Sequence, residues 1–440
     1  MKRRKPPATT PSAHTPAPPL PVTIEKPVYG GAFLARQEGK AIFAPLTLPG
    51  EQARVRIVDD RRGYAFAEGE EIVSAAPERV APLCAHFGPC GGCHYQHANY
   101  AAQIDFKQAI LRETLERAGV QPPAEIAVVA GEPWAYRNRI RLAFDSAGNP
   151  GYRGRRSHAV IPIRGCPIAA PVLVKAALAA AEYFRRYRPS QRPAEISLFC
   201  DATESALLAT VVSANPTKAG AEDFALALRE QVPALTGVGF VSQGLPGRQP
   251  RTVARWGADS LPYRAAGFDY RVDHGAFFQV NRWLVDALAN RVTGGRSGKL
   301  AWDIFAGVGL FARRLESSFE RVVAVESAFA AIPALESNLC GTAAAAIRAS
   351  ALEFLQSKHK EERPDLIVVD PPRAGLGAEI TAQLAEVAAT ALVYVSCDPA
   401  TLARDLHGLL AAGYALQSLT LADLFPQTFH IESVVELRRA

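Results

Sequence analysis

No run of apolar residues in this 440-residue chain approaches the roughly 18–20 that a bilayer-crossing helix needs, which excludes a membrane-spanning helix. The first residues, MKRRKPPATTPSAHTPAPPLP, are basic, but no apolar stretch follows them. Residues 1–21 therefore read as a disordered, basic, proline-rich tail and not as a signal peptide. Internal repeats are also missing. Neither sign of charge dominates: 49 Lys and Arg against 43 Asp and Glu leave a formal +6. That excess suits an anionic partner such as RNA, although solubility alone accounts for it equally well. With no export signal, the seven cysteines are expected to be reduced thiols serving as metal ligands, a nucleophile or core residues. A cytoplasmic protein follows.

What is present divides into three parts after the tail. Residues 22–76 alternate short β-like runs with glycine punctuation, the pattern of a small barrel of the oligonucleotide-binding type or of a generic β-domain. Residues 77–270 read as a mixed α+β region. A cysteine-bearing loop (Cys84 to Cys93) opens it, and a strong helical pattern over 101–119 ends at Gly119. From 271 to 440, strands and helices alternate, which implies a parallel sheet with right-handed crossovers.

The third part carries a nucleotide-type turn. In KLAWDIFAGVGLFARRL a strand runs into a helix through Gly307 and Gly309, which let backbone approach a ligand at a helix N-terminus. The next strand, RVVAVE, ends in Glu326, about 20 residues on, where an acid can hold two ribose hydroxyls. The third glycine of a dinucleotide fingerprint is absent: Ala312 and Arg313 stand nearby. The pattern fits S-adenosylmethionine better than NAD. The strand DLIVVDPPRAG then brings Asp370 and a stiff Pro371–Pro372 turn to the sheet edge, near the switch-point crevice of a doubly wound sheet. Amino-methylating enzymes place an aromatic after such prolines to stack a base. Here Arg373 stands there.

On the following strand, ALVYVSC, the thiol of Cys397 ends an apolar run directly before a helix start, with Asp398 as N-cap and Pro399 in the first turn. The helix dipole favours the thiolate and Asp398 opposes it; on position alone, a cysteine buried as a small hydrophobe is an equal reading. A thiol at this point of a methyl-transfer site suits carbon methylation. Carbon 5 of a pyrimidine is too weak a nucleophile unaided, but a thiolate added to carbon 6 makes it an enolate carbon. A base must then remove the carbon 5 proton so that the thiolate can leave. Glu432, at the start of a last strand in LFPQTFHIESVVELRR, is the candidate base; His430 is its rival, and a surface carboxylate is the plain alternative. Elsewhere, Cys84, Cys90 and Cys93 follow C-x5-C-x2-C with Cys166 much later, a spacing open to zinc or to an iron–sulfur cluster. Cys200 and Cys340 read as core residues. Arg137 and Arg139 read equally as phosphate contacts or as solvated strand-edge charges.

The motifs GAFFQVN (Gly275 to Asn281), DIFAGVGLF, VVAVE, DPPRAG, YVSCDPATLARDL and DLFPQTFHIE together resemble the RNA uracil-5-methyltransferases, in particular those with an N-terminal TRAM domain that act on large-subunit ribosomal RNA. The resemblance extends over nearly the whole chain beyond the tail. It implies a TRAM barrel, a central α+β domain and a Rossmann-like, class I S-adenosylmethionine-dependent methyltransferase domain. It implies Cys397 as nucleophile and Glu432 as base, with Gln279, Phe305, Glu326 and Asp370 lining the cofactor and uracil pocket. It implies a [4Fe–4S] cluster on Cys84, Cys90, Cys93 and Cys166, in a structural role. Phe277 or Phe278 is expected to stack on a base. Relatives often carry an acid where Ser350 stands, to bind the adenine amine, and a polar residue where Leu310 stands. The substrate is expected to be ribosomal RNA in preference to transfer RNA, and the enzyme a monomer; a non-catalytic RNA-binding or ribosome-assembly factor is the reading from another class.

Overall fold

The computed structural model describes residues 18–187, 193–213, 217–242, 252–357 and 362–439. The expected tail lies, as far as residue 17, outside the described residues. The chain divides into two compact units, Met1–Arg79 and Val80–Ala440.

The first unit is a closed five-stranded barrel: Leu20–Val28, Ala32–Gln37, Lys40–Pro45, Gln52–Arg61 and Tyr64–Ser74. It closes because alternate residues of each strand are apolar and small enough to fill the interior: Val22 and Ile24, Phe33 and Ala35, Ile42 and Ala44, Ala53 and Val55, Ala65 and Ala67 are all buried. The first strand starts at Leu20, two residues inside the stretch expected to be tail.

The second unit holds two large sheets. A seven-stranded, mostly antiparallel sheet (strands between Arg139 and Gly257) carries helices Pro171–Tyr187 and Lys218–Gln231. Their alanine- and leucine-rich faces and the sheet's Ile140, Leu142, Ile196, Leu198 and Val211 make one buried cluster.

The eight-stranded sheet positions the site. Its order is Ala344–Arg348, Phe319–Glu326, Gly298–Ile304, Leu366–Val369, Ala391–Ser396, Glu432–Arg439, Tyr414–Ala422, Ala127–Val129. The first five strands are parallel, and the central Leu366–Val369 and Ala391–Ser396 are almost wholly apolar and buried, as strands covered on both faces must be. Chain order reverses between Gly298–Ile304 and Leu366–Val369, so a crevice opens at their carboxyl ends. The last of the eight strands belongs to a stretch read from sequence as part of the central region. Ala127–Val129 instead pairs with Thr420–Ala422 and closes the sheet's edge; three residues carry no readable period, and only the free edge of the neighbouring strand recruits them. The central and C-terminal parts thus form one compact unit rather than separating at 270.

Helix Tyr100–Arg117 starts where Asn99 accepts the amide hydrogen of Ala102 at 2.9 Å and ends before Gly119, whose φ of +76° only glycine adopts without cost. It packs on helix Pro399–Ala411.

Candidate active site

Five strand ends meet at the crevice. Ile304 pairs with Val325 and Val369, so Phe305, Glu326 and Asp370 follow one another around the carboxyl edge. Ser396 pairs with Ser433 across antiparallel strands. That is the last pair of the ladder; Cys397 follows Ser396 out of its strand and Glu432 precedes Ser433 into the other, and the charge of Glu432 acts on the Cys397 thiol. The nucleophile and base expected from separate motifs therefore come from adjoining ends of two paired strands.

Electrostatics show the same grouping. Glu432 is 5% exposed, and burial raises its carboxyl well above the ordinary range, with the charge of Asp370 adding and Arg373 opposing. Burial also raises Asp370, while a 3.3 Å hydrogen bond from Gln279 Nε2 to Asp370 Oδ2 pulls back. The Cys397 thiol is pushed up to about 12, first by burial, then by Glu432 and Asp370, with Arg373 again opposing. Cys397, Glu432, Asp370, Gln279 and Arg373 are one interacting group, and Arg373, from the motif DPPRAG, is its cation. His430 makes a poor base: burial and then Arg373 push it down to about 3. It stays neutral, with the Arg373 guanidinium 3.1 Å from Nδ1.

The glycine turn is built on backbone strain and a buried acid. Phe305 sits at φ +69°, a conformation a bulky residue holds only when its surroundings impose it. The amide hydrogens of Phe305 and Ala306 both go to the Val325 carbonyl at 3.0 Å. Gly307 and Gly309 take φ of +57° and +91°, and a Cβ on Gly309 would stand 2.9 Å from Leu335. Gly307 donates its amide hydrogen to Glu326 Oε2 at 2.8 Å, tying turn to strand end. Asp303, fully buried, accepts the Ala312 amide hydrogen at 2.8 Å and so anchors helix Leu310–Leu315. Burial first, then Asp370 and Glu326, raise Asp303 to about 7. Asp303 entered the sequence reading only as the first residue of DIFAGVGLF, with no role of its own; a charge two residues before the turn, between Trp302 and Ile304, was the available signal.

The two phenylalanines separate cleanly. Phe278 is core, 4.5 Å from the ring of Tyr263, whereas Phe277 is 59% exposed. Leu310 is buried at the start of its helix. Ser350 caps helix Ala351–Leu355 in a reciprocal box with Glu353. Arg139 is a phosphate contact no longer: its guanidinium donates to the Ala276 carbonyl at 2.7 Å and lies 4.3 Å over Phe199. Burial lowers it to about 10. Cys200 is buried as expected, but Cys340 is exposed, because helix Ile332–Leu339 ends before it and turns it outward.

Cys84, Cys90, Cys93 and Cys166 line one cavity of about 230 Å³, with Arg137, Tyr152 and His430 in its wall. Arg137 thus faces the thiols and not a surface phosphate. Burial raises Cys90, Cys93 (to about 12) and Cys166, and Cys90 and Cys93 are raised further by neighbouring cysteines. Tyr152 Oη lies 3.8 Å from Cys166 Sγ. Among the described residues, no group of three or more His, Cys, Asp or Glu side chains is placed to hold a metal ion.

Comparison with known proteins gives this geometry its context. The family model described as tRNA (Uracil-5-)-methyltransferase matches residues 256–440, and the TRAM domain model matches residues 20–68. The 23S rRNA (uracil(1939)-C(5))-methyltransferase RlmD of Aeromonas hydrophila subsp. hydrophila is 32% identical, over 92% of this chain and 93% of its own length. RlmD of Chromohalobacter salexigens is also 32% identical, over 95% of this chain and 89% of its own. The solved structure of Pyrococcus abyssi tRNA (uracil-54, C5)-methyltransferase in complex with S-adenosyl-L-homocysteine is 23% identical and has the same fold, with a TM-score of 0.76 over 95% of this chain and 100% of its own. A TRAM barrel, a doubly wound catalytic sheet and relatives of this kind over nearly the full length lead to one assignment: the chain belongs to the RNA uracil-5-methyltransferase family.

Proposed function

We propose that this is a cytoplasmic, monomeric S-adenosylmethionine-dependent enzyme that methylates carbon 5 of a uridine in 23S ribosomal RNA. The strand pairing that brings Cys397 and Glu432 to adjoining ends beside Asp370 carries the reading. Cys397 loses its proton to solvent and, as the thiolate, adds Sγ to carbon 6 of the uracil, and the carbon 5–carbon 6 electron pair shifts toward carbon 5 and oxygen 4. S-adenosylmethionine, when bound, would supply the methyl group that this electron pair takes up at carbon 5, and its sulfonium charge would favour the ionised forms of Asp303, Asp370 and Glu432. Glu432 then takes the carbon 5 proton, the carbon–hydrogen pair restores the ring double bond, and the carbon 6–sulfur bond breaks with the thiolate as leaving group. Gln279 holds Asp370, Arg373 offsets the local negative charge, and Glu326 with the glycine turn holds the cofactor's ribose and backbone-facing groups. Phe277 stacks on the extruded base or its neighbour.

The ribosomal substrate is favoured by relatives that are 32% identical, against 23% for the structural relative that carries the transfer RNA name. We further propose that the four cysteines hold a [4Fe–4S] cluster in a structural role. The four thiols line one cavity, and four thiolates are the donor set such a cluster takes. Iron and sulfide in anaerobically purified protein support the cluster, and stoichiometric zinc overturns it.

The test of the activity is tritium release from RNA labelled at carbon 5 of uracil, followed by methylation mapping of ribosomal and transfer RNA from a deletion strain. Cys397→Ala is expected to abolish release while cofactor binding persists, and Glu432→Gln to trap a covalent RNA–protein adduct on denaturing gels. Normal turnover by Cys397→Ala removes the nucleophile assignment, and loss of methylation from a transfer RNA alone moves the substrate.

A further inference from the structure

The loop that delivers Glu432 is held mainly from outside itself. It runs from Asp423 to Ile431, between strands Tyr414–Ala422 and Glu432–Arg439. Its pivot, Gln427, has a φ of +68° and is 2% exposed. A left-handed backbone at a side chain of this size persists only where neighbours fix it. Here the backbone amide, the carbonyl and the side-chain oxygen of Gln427 are all bonded to the segment that bears the cysteines and to the helix that follows it. The Gln427 carbonyl accepts the amide hydrogens of His94 at 2.8 Å and Tyr95 at 3.0 Å. Its amide hydrogen goes to Gln103 Oε1 at 2.8 Å, and its Oε1 accepts from Gln103 Nε2 at 3.0 Å. Gln103 is 1% exposed, and its Nε2 also donates to Ala98 at 2.9 Å, which fixes the amide's orientation.

Contacts on either side of the pivot come from the same stretch of chain. Tyr136 Oη donates to the Pro426 carbonyl at 3.0 Å, and Lys107 Nζ to the Phe425 carbonyl at 2.9 Å. His94 packs edge-on to Phe429 at 4.6 Å. Within the loop, Thr428 Oγ1 donates to the Phe425 carbonyl at 2.8 Å. A general base must hold its carboxylate to within a fraction of an ångström of the proton it takes, and a 1 Å error can cost about a hundredfold in rate.

We propose that Gln103, on helix Tyr100–Arg117, is a positioning residue for the general base: its side-chain amide locks Gln427 in the left-handed conformation that aims Glu432 toward Cys397. The inference rests on Glu432 being the base. Loss of the lock acts on the second half of the reaction. Addition of Cys397 does not use the Glu432 carboxylate, whereas proton removal from carbon 5, re-formation of the ring double bond and departure of the thiolate all wait on it.

The experiment compares Gln103→Leu, close in size but without donor or acceptor, with the unaltered full-length enzyme and with Glu432→Gln. Gln103→Leu is expected to lower kcat at least tenfold with KM for RNA and cofactor changed less than threefold, and to accumulate covalent RNA adduct. Adding Gln427→Gly to Gln103→Leu is expected to restore part of kcat, because glycine takes this φ without a side chain to resist it; a purely structural loss of a buried amide would not be rescued this way. Turnover of Gln103→Leu within twofold of the parent overturns the proposal. So does the absence of adduct under conditions in which Glu432→Gln traps it. If Glu432→Gln itself traps none, the base assignment fails first. Should Gln103→Leu not fold, Gln427→Val strains the same pivot with Gln103 intact: adduct supports the lock, and unchanged turnover without adduct overturns it.

Discussion

At Cys397 the chemistry asks for a thiolate and the surroundings favour a thiol. Burial, Glu432 and Asp370 push it up to about 12 against the single cation Arg373. The thiolate fraction of the ligand-free protein must then climb about tenfold per pH unit across the whole range the protein tolerates. In a Cys340→Ser background, which removes the exposed thiol, iodoacetamide labelling of Cys397 followed by peptide mass spectrometry is expected to accelerate about tenfold per unit from pH 7 to 10 with no plateau. Glu432→Gln is expected to label faster at any fixed pH, since it removes a charge that opposes the thiolate. A plateau below pH 9 would show that Arg373 outweighs both carboxylates. The residues legible from sequence were those whose chemistry and strand-end position coincide: Cys397, Asp370, Glu326, Glu432. Asp303, Gln103 and Lys107 were not, because a buried acid, amide or amine in a sequence carries no sign of the partner that makes burial tolerable.

Among the elements, length decided what could be read. The strands Phe319–Glu326 and Ala391–Ser396 are apolar runs bounded by turns, and helix Tyr100–Arg117 has a cap and a terminal glycine. Ala127–Val129 has three residues and belongs to a sheet formed mostly by chain nearly two hundred or more positions away. The five-residue helix Ala351–Leu355 shows what such short pieces need. It is below any length at which a helix stands alone, and the box formed by Ser350 and Glu353 supplies its first turn. The Ser350 hydroxyl accepts the Glu353 amide hydrogen at 3.2 Å, while Glu353 Oε2 accepts from the Ser350 amide at 2.8 Å. Those bonds hold the Glu353 carboxyl below its usual range. Ser350→Ala is expected to cost about 1 kcal/mol in urea unfolding, and Ser350→Asp, which can cap equally well, close to nothing. Equal losses for both would mean that the hydroxyl acts through something other than the cap.

On the scale of the whole Val80–Ala440 unit, its beginning and its end are joined by one ion pair. Lys107 Nζ meets Asp423 Oδ1 across 316 positions of sequence, and both side chains are fully buried. Burial lowers the Lys107 pKa, and Asp423 works against that fall. The lysine also donates to the Phe425 carbonyl at 2.9 Å, so one ammonium secures the helix, the carboxylate and the loop leading to Glu432. A buried pair of this kind adds little over a well-packed apolar pair, because desolvation cancels most of the attraction; the penalty falls on breaking it. Lys107→Met leaves Asp423 buried without its counter-charge, and the expected loss is about 3–5 kcal/mol. Lys107→Met combined with Asp423→Leu removes the stranded charge, and most of that loss should return. The two differ in function as well: the double variant keeps the fold but gives up the bond to Phe425, so its stability is expected to recover further than its turnover. Urea unfolding monitored by tryptophan fluorescence, read beside tritium release on the same preparations, decides the matter. A double variant as unstable as Lys107→Met would show that the pair stabilises the unit outright, and that the ends of the chain are joined by attraction and not by the avoidance of an uncompensated charge.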